Sequence, residues 1–252
     1  MPEPFILYDI PRQLRDGETE ADMSWSPNVF KTSAALNVKG IPFKRVWIDF
    51  KDVADVISKL GAEPHEQGNL KYTCPVIYDP STKRTIMDSQ KILEYLEKQY
   101  PQKPSLFPPH TRALQVAFID NIMPRVYMNV APTLTFDLYG LVLEDSKQYF
   151  RDARAKDFGI PLEQLVSHGD ARVKNLAAFK SLLEDVLKWM AANGENARYV
   201  TGEVPSNADL FFGGVLVFIK RIGGKEHDLF KLIGEAGNGQ LLKYVEDMER
   251  LA

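Results

Sequence analysis

The chain lacks most of the features that would narrow its function at once. Cys74 is the only cysteine in 252 residues. No disulfide can form within the chain, which excludes a disulfide-stapled scaffold and fits a reducing compartment. No apolar run approaches the ~18 residues that cross a bilayer. The apolar stretch Leu210 to Ile219 is too short and reads as a buried helix. Met1-Pro2-Glu3-Pro4 has neither the basic nor the apolar region of a signal peptide, so a cytoplasmic location and no membrane partner are expected. Charge of one sign is also missing. The 31 basic and 34 acidic residues leave a net charge of −3, with no pull toward nucleic acid or anionic lipid. His65, His110, His168 and His227 show no ligand spacing, and no metal is expected. Internal repeats and low-complexity segments are absent as well. What remains, 44% hydrophobic and 26% charged residues, is the balance of a soluble chain with a real core. Its length suits one large domain or two ordinary ones.

Strand and helix signals alternate early in the chain. Phe5 to Tyr8, ending at Asp9, reads as a buried strand. After a polar loop from Arg12 to Met23, Ser26-Pro27 starts a helix and Gly40 with Pro42 stops it. Lys44 to Phe50 reads as a strand, Val53 to Leu60 as a helix, and Pro75 to Tyr78 and Arg84 to Met87 as a hairpin. Asp88-Ser89 opens a further helix that stops before Pro101. This β-α-β-α-β-β-α order is that of a thioredoxin-like α/β domain, placed at 1–103. A proline-rich linker follows, and strand signals almost vanish beyond it. Helical spacing recurs at Thr111 to Met123, Leu176 to Met190 and Ala208 to Ile219, which places an all-α domain at 111–252. Pro124 and Pro132 are expected to kink or break the first of these helices.

Three short segments carry possible chemistry. Pro75 starts a strand, where it cannot donate a ladder hydrogen bond. A cis bond there would turn the Cys74 backbone toward an extended peptide, although an ordinary edge-strand proline also accounts for it. Asp88-Ser89 sits at a helix start. Ser89 can cap the helix, the free N–H groups favour an anion, and Asp88 can pair with an ammonium. A plain helix cap explains the same dipeptide. Ser24-Trp25-Ser26-Pro27 lies at another helix N-terminus, where a serine can donate a hydrogen bond to a thiolate. No base is evident to make that serine a nucleophile. In the second half, Ser206 and Asp209 have the spacing of a capping box.

In this joint order the segments resemble the glutathione transferase family across nearly the whole chain. The resemblance implies a glutathione-binding thioredoxin-like domain and a helical domain with a hydrophobic acceptor pocket. It implies that Cys74-Pro75-Val76 carries a cis-proline that binds the cysteinyl backbone of glutathione, and that Asp88-Ser89 holds the γ-glutamyl end. Asp209 then serves the fold rather than catalysis. Ser26 stands where cysteine-type members have cysteine, so it would activate the bound glutathione thiol instead of forming a disulfide with it. Ser24 is the second candidate, and Trp25 lines the site or joins the core. The glycyl carboxylate needs a partner before Pro75, for which Lys71, Gln67 and His65 qualify equally. The acidic loop, Ser24 to Asn28 and Ile119-Asp120-Asn121 together resemble the fungal class A transferases, which are similar to bacterial lignin β-etherases. Aromatic ligands would meet Tyr127, Met128, Phe136 or Tyr139, residues that equally suit the core. Two functions follow: conjugation to, or ether cleavage of, aromatic compounds, or glutathione-dependent carriage of polyphenols without turnover. Glutathione is the co-substrate in the first, and a homodimer is implied by the resemblance alone. Cys74 is not expected to act as a nucleophile.

Overall fold

The computed structural model describes residues 3–194 and 197–252. Met1 and Pro2, which carry part of the signal-peptide reading, lie outside them. The chain divides into two compact units. The first takes in the chain to Pro104 together with Tyr139–Pro161, and the second Ser105–Leu138 with Leu162–Leu251.

In the first unit, β1 (Phe5–Asp9), β2 (Phe43–Trp47), β3 (Val76–Asp79) and β4 (Arg84–Met87) form one sheet in the order β2-β1-β3-β4. The β1/β2 pair is parallel, and the other pairs are antiparallel. Helices α1 (Pro27–Val38), α2 (Val53–Lys59) and α3 (Ser89–Gln99) complete the expected order. Leu7, Val76 and Ile77 of the central strands are fully buried, as are Val29, Ala34 and Leu36 of α1 and Ile92, Leu93 and Leu96 of α3. Each of these valine, leucine and isoleucine side chains contributes roughly 1.5–3 kcal/mol of transfer free energy, so the sheet is held mainly by this apolar layer. Strand β2 is shorter than its alternation suggests. Phe50 opens a single 3-10 turn, and its ring packs on Tyr149 and Phe150 at centroid distances of 5.6 and 5.5 Å. That contact helps explain why Tyr139–Pro161 groups with the first unit rather than with the residues around it.

The register determines which loops share an end of the sheet. Tyr8 pairs with Val76, and Val76 with Met87. The segment entering β3 at Pro75, the segment leaving β4 at Asp88 and the segment leaving β1 after Asp9 therefore emerge together. Neighbouring strands lie ~4.8 Å apart, so β1 and β4 are about 10 Å apart across β3. A tripeptide in extended form spans that width.

The remaining helices are α4 (Arg112–Asn129), α5 (Ala131–Leu141), α6 (Lys147–Phe158), α7 (Leu162–Leu165), α8 (Gly169–Ala191), α9 (Asn207–Gly223), α10 (Asp228–Glu235) and α11 (Gln240–Glu249). Helix α9 is the core of the second unit, with Leu210, Phe212, Leu216 and Ile219 fully buried. Its N-terminus is set by the expected box: Ser206 N and Oγ both donate to Asp209 Oδ2, at 2.9 and 2.7 Å. The other carboxylate oxygen accepts from Val200 N at 2.7 Å and the Tyr244 hydroxyl at 3.1 Å. All four contacts are structural. Gly213 lets α11 approach, since a Cβ there would lie 2.4 Å from Met248 Cγ. The expectation for the prolines holds at Pro132, where the helical run breaks between Asn129 and Ala131, while Pro124 does not break it. Helix α4 runs through Pro124, whose ring is on the exposed face, so water can satisfy the Asp120 carbonyl that loses its helical donor. Pro132 occupies the first turn of α5, where a missing N–H costs nothing.

Candidate functional site

The site residues gather at the shared end of the sheet. The Cys74–Pro75 peptide bond is cis, and Asp88 N donates to Pro75 O at 3.3 Å, joining the two segments directly. Cys74 is buried, and that burial, reinforced by the nearby Asp9 carboxylate, pushes its thiol far above the ordinary range. A thiol so far from ionising is not a nucleophile at neutral pH.

Asp88 has a φ of +83°, a conformation that costs a non-glycine residue about 1–3 kcal/mol. The structure corrects the capping role here. Asp88, not Ser89, caps α3: its Oδ1 accepts from Gln90 N at 2.9 Å and Lys91 N at 3.1 Å. Ser89 is the first helical residue and is buried. The turned backbone at Asp88 brings its own carboxylate over the helix end, so two of the N–H groups expected to hold an anion are already satisfied.

The two serines have different surroundings. Ser24 is buried beside the fully buried Asp9. Its Oγ accepts from Arg45 Nη1 at 2.8 Å, and it also hydrogen-bonds the Asp9 carboxylate. Arg45 pairs with that same carboxylate and lies over the Trp47 ring, 5.3 Å from its centroid. Burial raises the Asp9 pKa, and Arg45 and Ser24 oppose the shift. Both hydrogen-bonding capacities of the Ser24 hydroxyl are thus engaged. Ser26 is the N-cap of α1, its Oγ accepting from Val29 N at 3.4 Å. It uses a lone pair there, and that bond leaves its O–H able to donate. Trp25 between them is half-buried.

The acidic loop is tied down. Arg12, 1% exposed, makes a bidentate pair with Glu18 at 2.7 and 2.8 Å. The Arg12 hydrogen bonds hold the Glu18 carboxyl at about 2, below the usual range. Trp47 Nε1 donates to Glu20 at 2.8 Å, and Pro11 and Ser24 form a β-bridge. None of these contacts had a local sequence signal, because their partners lie on β2 or across the loop.

Of the candidates for the glycyl carboxylate, Lys71 is exposed and its Nζ donates to the carbonyls of His65 and Glu66 at 3.2 and 3.3 Å. His65 Nε2 is 2.8 Å from the Thr73 hydroxyl, and Gln67 is exposed. The proposed ligand-facing residues are not core: Tyr127, Met128 and Phe136 are 53%, 69% and 44% exposed. Tyr139 belongs to the first unit, where its ring packs near Phe150 and its hydroxyl accepts from Arg151 at 3.1 Å. Sequence reasoning did not find a separate cavity of about 510 Å³ in the second unit, lined by Leu114, Phe118, Asn121, Trp189 and Asn193 among others. Among the described residues, no helix is long and apolar enough to cross a membrane.

Comparison with known proteins accords with this arrangement. The family profile "Glutathione S-transferase, N-terminal domain" matches residues 25–99, and "Glutathione S-transferase, C-terminal domain" matches residues 113–251. Glutathione S-transferase-like protein ustS of Aspergillus flavus is 30% identical over 227 residues, 86% of this chain and 81% of the relative. The crystal structure of glutathione transferase GSTFuA3 from Phanerochaete chrysosporium is 31% identical with a TM-score of 0.88, covering 100% of this chain and 98% of its own. Glutathione S-transferase CsGST63524 of Ceriporiopsis subvermispora, solved in complex with glutathione, is 32% identical with a TM-score of 0.87, covering 99% and 98%. The β-etherase LigF of Sphingobium, 16% identical with a TM-score of 0.58, shares the fold.

Proposed function

Given that the chain belongs to the glutathione S-transferase family, we propose that it binds glutathione at the shared sheet end and that Ser26 activates the thiol for attack on aromatic electrophiles. The observation that carries this reading is the contrast between the serines. Ser24 is locked against Asp9 and Arg45, whereas Ser26 has a proton to give at the N-terminus of α1. The related C. subvermispora structure with glutathione supports the choice of ligand.

In this reading the cysteinyl backbone pairs with Cys74 ahead of the cis-proline. The γ-glutamyl ammonium meets Asp88, and the sulfur lies beside Ser26. Glutathione loses its thiol proton to water. The thiolate is stabilised by the Ser26 O–H and by the positive end of α1. Each unit by which the thiol pKa falls requires about 1.4 kcal/mol, within reach of one charge-assisted hydrogen bond and a helix end. The sulfur then attacks a carbon bearing an aryloxy group. A C–S bond forms, the C–O bond breaks with its electron pair on oxygen, and the aryloxide takes a proton from water. The products are a glutathione thioether and a phenol.

The test is incubation of the full chain with glutathione and a panel of β-aryl ethers and activated aryl halides, followed by mass spectrometry. Thioether formation is expected. Binding of both ligands with no thioether from any substrate would replace this reading with the carrier function.

A further inference from the structure

We propose that His227 is an acid-sensitive latch between α10 and α5. Its neutral ring caps α10, and its protonated ring gives up that cap and pairs with Asp137 of α5. All the residues involved belong to the second unit, so the latch does not rest on the glutathione site proposed above.

The cap fixes the state of the ring. His227 is the N-cap of α10, and its Nδ1 accepts from Leu229 N at 3.2 Å. A backbone N–H can only donate, so Nδ1 carries no proton and the neutral ring holds its proton on Nε2. Helices are usually capped by Ser, Thr, Asp or Asn. A histidine cap differs from these because a proton taken up between pH 5 and 8 removes its acceptor.

The second ring nitrogen supplies the alternative. The His227 side chain is 9% exposed, and Nε2 is buried without a hydrogen-bond partner among the described residues. It faces α5, where Asp137 Oδ2 lies 3.8 Å away. The Thr133 carbonyl of the same helix also faces the ring, outside hydrogen-bond geometry at Nε2. A positive ring would strengthen its hold on both acceptors. The ring has little room to retreat. A Cβ at Gly223, the last residue of α9, would lie 2.7 Å from His227 Cβ and Cγ. The element that yields is therefore the first turn of α10, where two donors, Nδ1–H and Leu229 N–H, would confront each other. Leu229 and Phe230 are buried on that turn, so its loosening releases apolar contacts.

The surrounding charges decide the sign. Asp137 faces the ring from α5. Arg172 faces it from α8 and is held to Asp228 at 2.8 Å. Asp228 and Lys231 belong to α10, and Lys231 pairs with Glu226 at 3.2 Å. From α9 the ring meets Gly223, which has no side chain. Burial lowers the His227 pKa, Asp137 opposes the shift and Arg172 adds to it. The folded value is thus depressed below the ordinary one near 6.5. The stabilisation from the neutral cap is complete above about pH 6.5 and is lost as pH falls through the lowered folded pKa.

The test is amide hydrogen exchange of the full chain by NMR from pH 7.5 to pH 5, corrected for the intrinsic pH dependence of exchange. Wild type, His227→Asn and Asp137→Asn are compared, and the His227 ring is titrated in parallel. Protection of Leu229 N–H is expected to fall by roughly 10-fold per pH unit below the ring pKa, with the same midpoint as the ring. Protection of buried α9 amides such as Leu216 should not change. His227→Asn caps without titrating, so its Leu229 protection should be independent of pH. Asp137→Asn should move the ring and Leu229 midpoints together to lower pH. A wild-type ring that titrates while Leu229 protection stays constant would overturn the latch, as would pH-dependent protection that persists in His227→Asn. If His227→Asn does not fold, the decision passes to Asp137→Asn, where unmoved midpoints would overturn the pairing with α5.

Discussion

Replacing Ser26 with alanine removes one hydroxyl and leaves the Ser24–Asp9–Arg45 cluster intact. On the folding side the loss is small. The cap bond to Val29 N is long, 3.4 Å, and Pro27 already presets the first turn of α1, so the cost belongs near the low end of the ~0.5–2 kcal/mol seen for cap removal. On the ligand side the loss is larger. A hydrogen bond donated to a charged sulfur is worth about 1.5–3 kcal/mol, and at about 1.4 kcal/mol per unit the bound thiol pKa should rise by roughly 1–2 units. The assay is thiolate absorbance of bound glutathione as a function of pH, alongside a melting curve. Ser24→Ala should give the opposite pattern. It removes a partner of the buried Asp9 and Arg45, destabilising the fold by about 1–3 kcal/mol with little change at the thiol. A thiol pKa unmoved by Ser26→Ala and raised by Ser24→Ala would refute the reasoning from hydrogen-bond engagement.

Asp88→Ala should lose both ligand affinity and about 1 kcal/mol of stability, since it removes the α3 cap. Asp88→Asn should lose affinity alone, as calorimetry and melting together would show, and unaltered affinity in both would remove Asp88 from the site. Glu18 is held at about 2, from an ordinary value near 4.5, by Arg12. Its carboxylate is depressed, so the stabilisation is complete above about pH 4.5 and is lost as pH falls toward 2. Glu18→Gln should therefore cost about 3 kcal/mol near neutrality, by leaving Arg12 buried without a counter-charge. Urea midpoints of variant and wild type should converge between pH 6 and pH 3, and an equal gap at both would contradict the pairing. Cys74→Ser should preserve conjugation, and the native thiol should react slowly with a disulfide reagent. Loss of turnover in a folded variant would restore Cys74 as a candidate.

Legibility followed the range of the determining contacts. Strand β4 is found at Arg84 to Met87 as its alternation and turn predict. The Ser206/Asp209 box is found as well, because three residues hold its donors and acceptor. The cis bond at Pro75 was readable as one of two options, since the strand start alone admits either. The Asp9–Arg45–Ser24 cluster was not readable, because its members are separated by 36 and 21 positions and meet only through the β1/β2 register. The sole hint was a carboxylate closing an apolar strand. The cap at α3 was misassigned because two adjacent residues can each cap, and the positive φ of Asp88 decides between them. The grouping of Tyr139–Pro161 draws on contacts such as Phe50 with Phe150, residues 100 positions apart, which no local pattern encodes. Helix α4 continues through Pro124, whose face is open to water, an exposure that local sequence does not encode.

The most direct test of the account is a crystal structure of the chain with glutathione bound. The account predicts the glutathione sulfur within hydrogen-bond distance of Ser26 Oγ, the cysteinyl backbone paired with Cys74 and the γ-glutamyl end at Asp88. Glutathione bound elsewhere, or with its sulfur on Ser24 and away from Ser26, would contradict it.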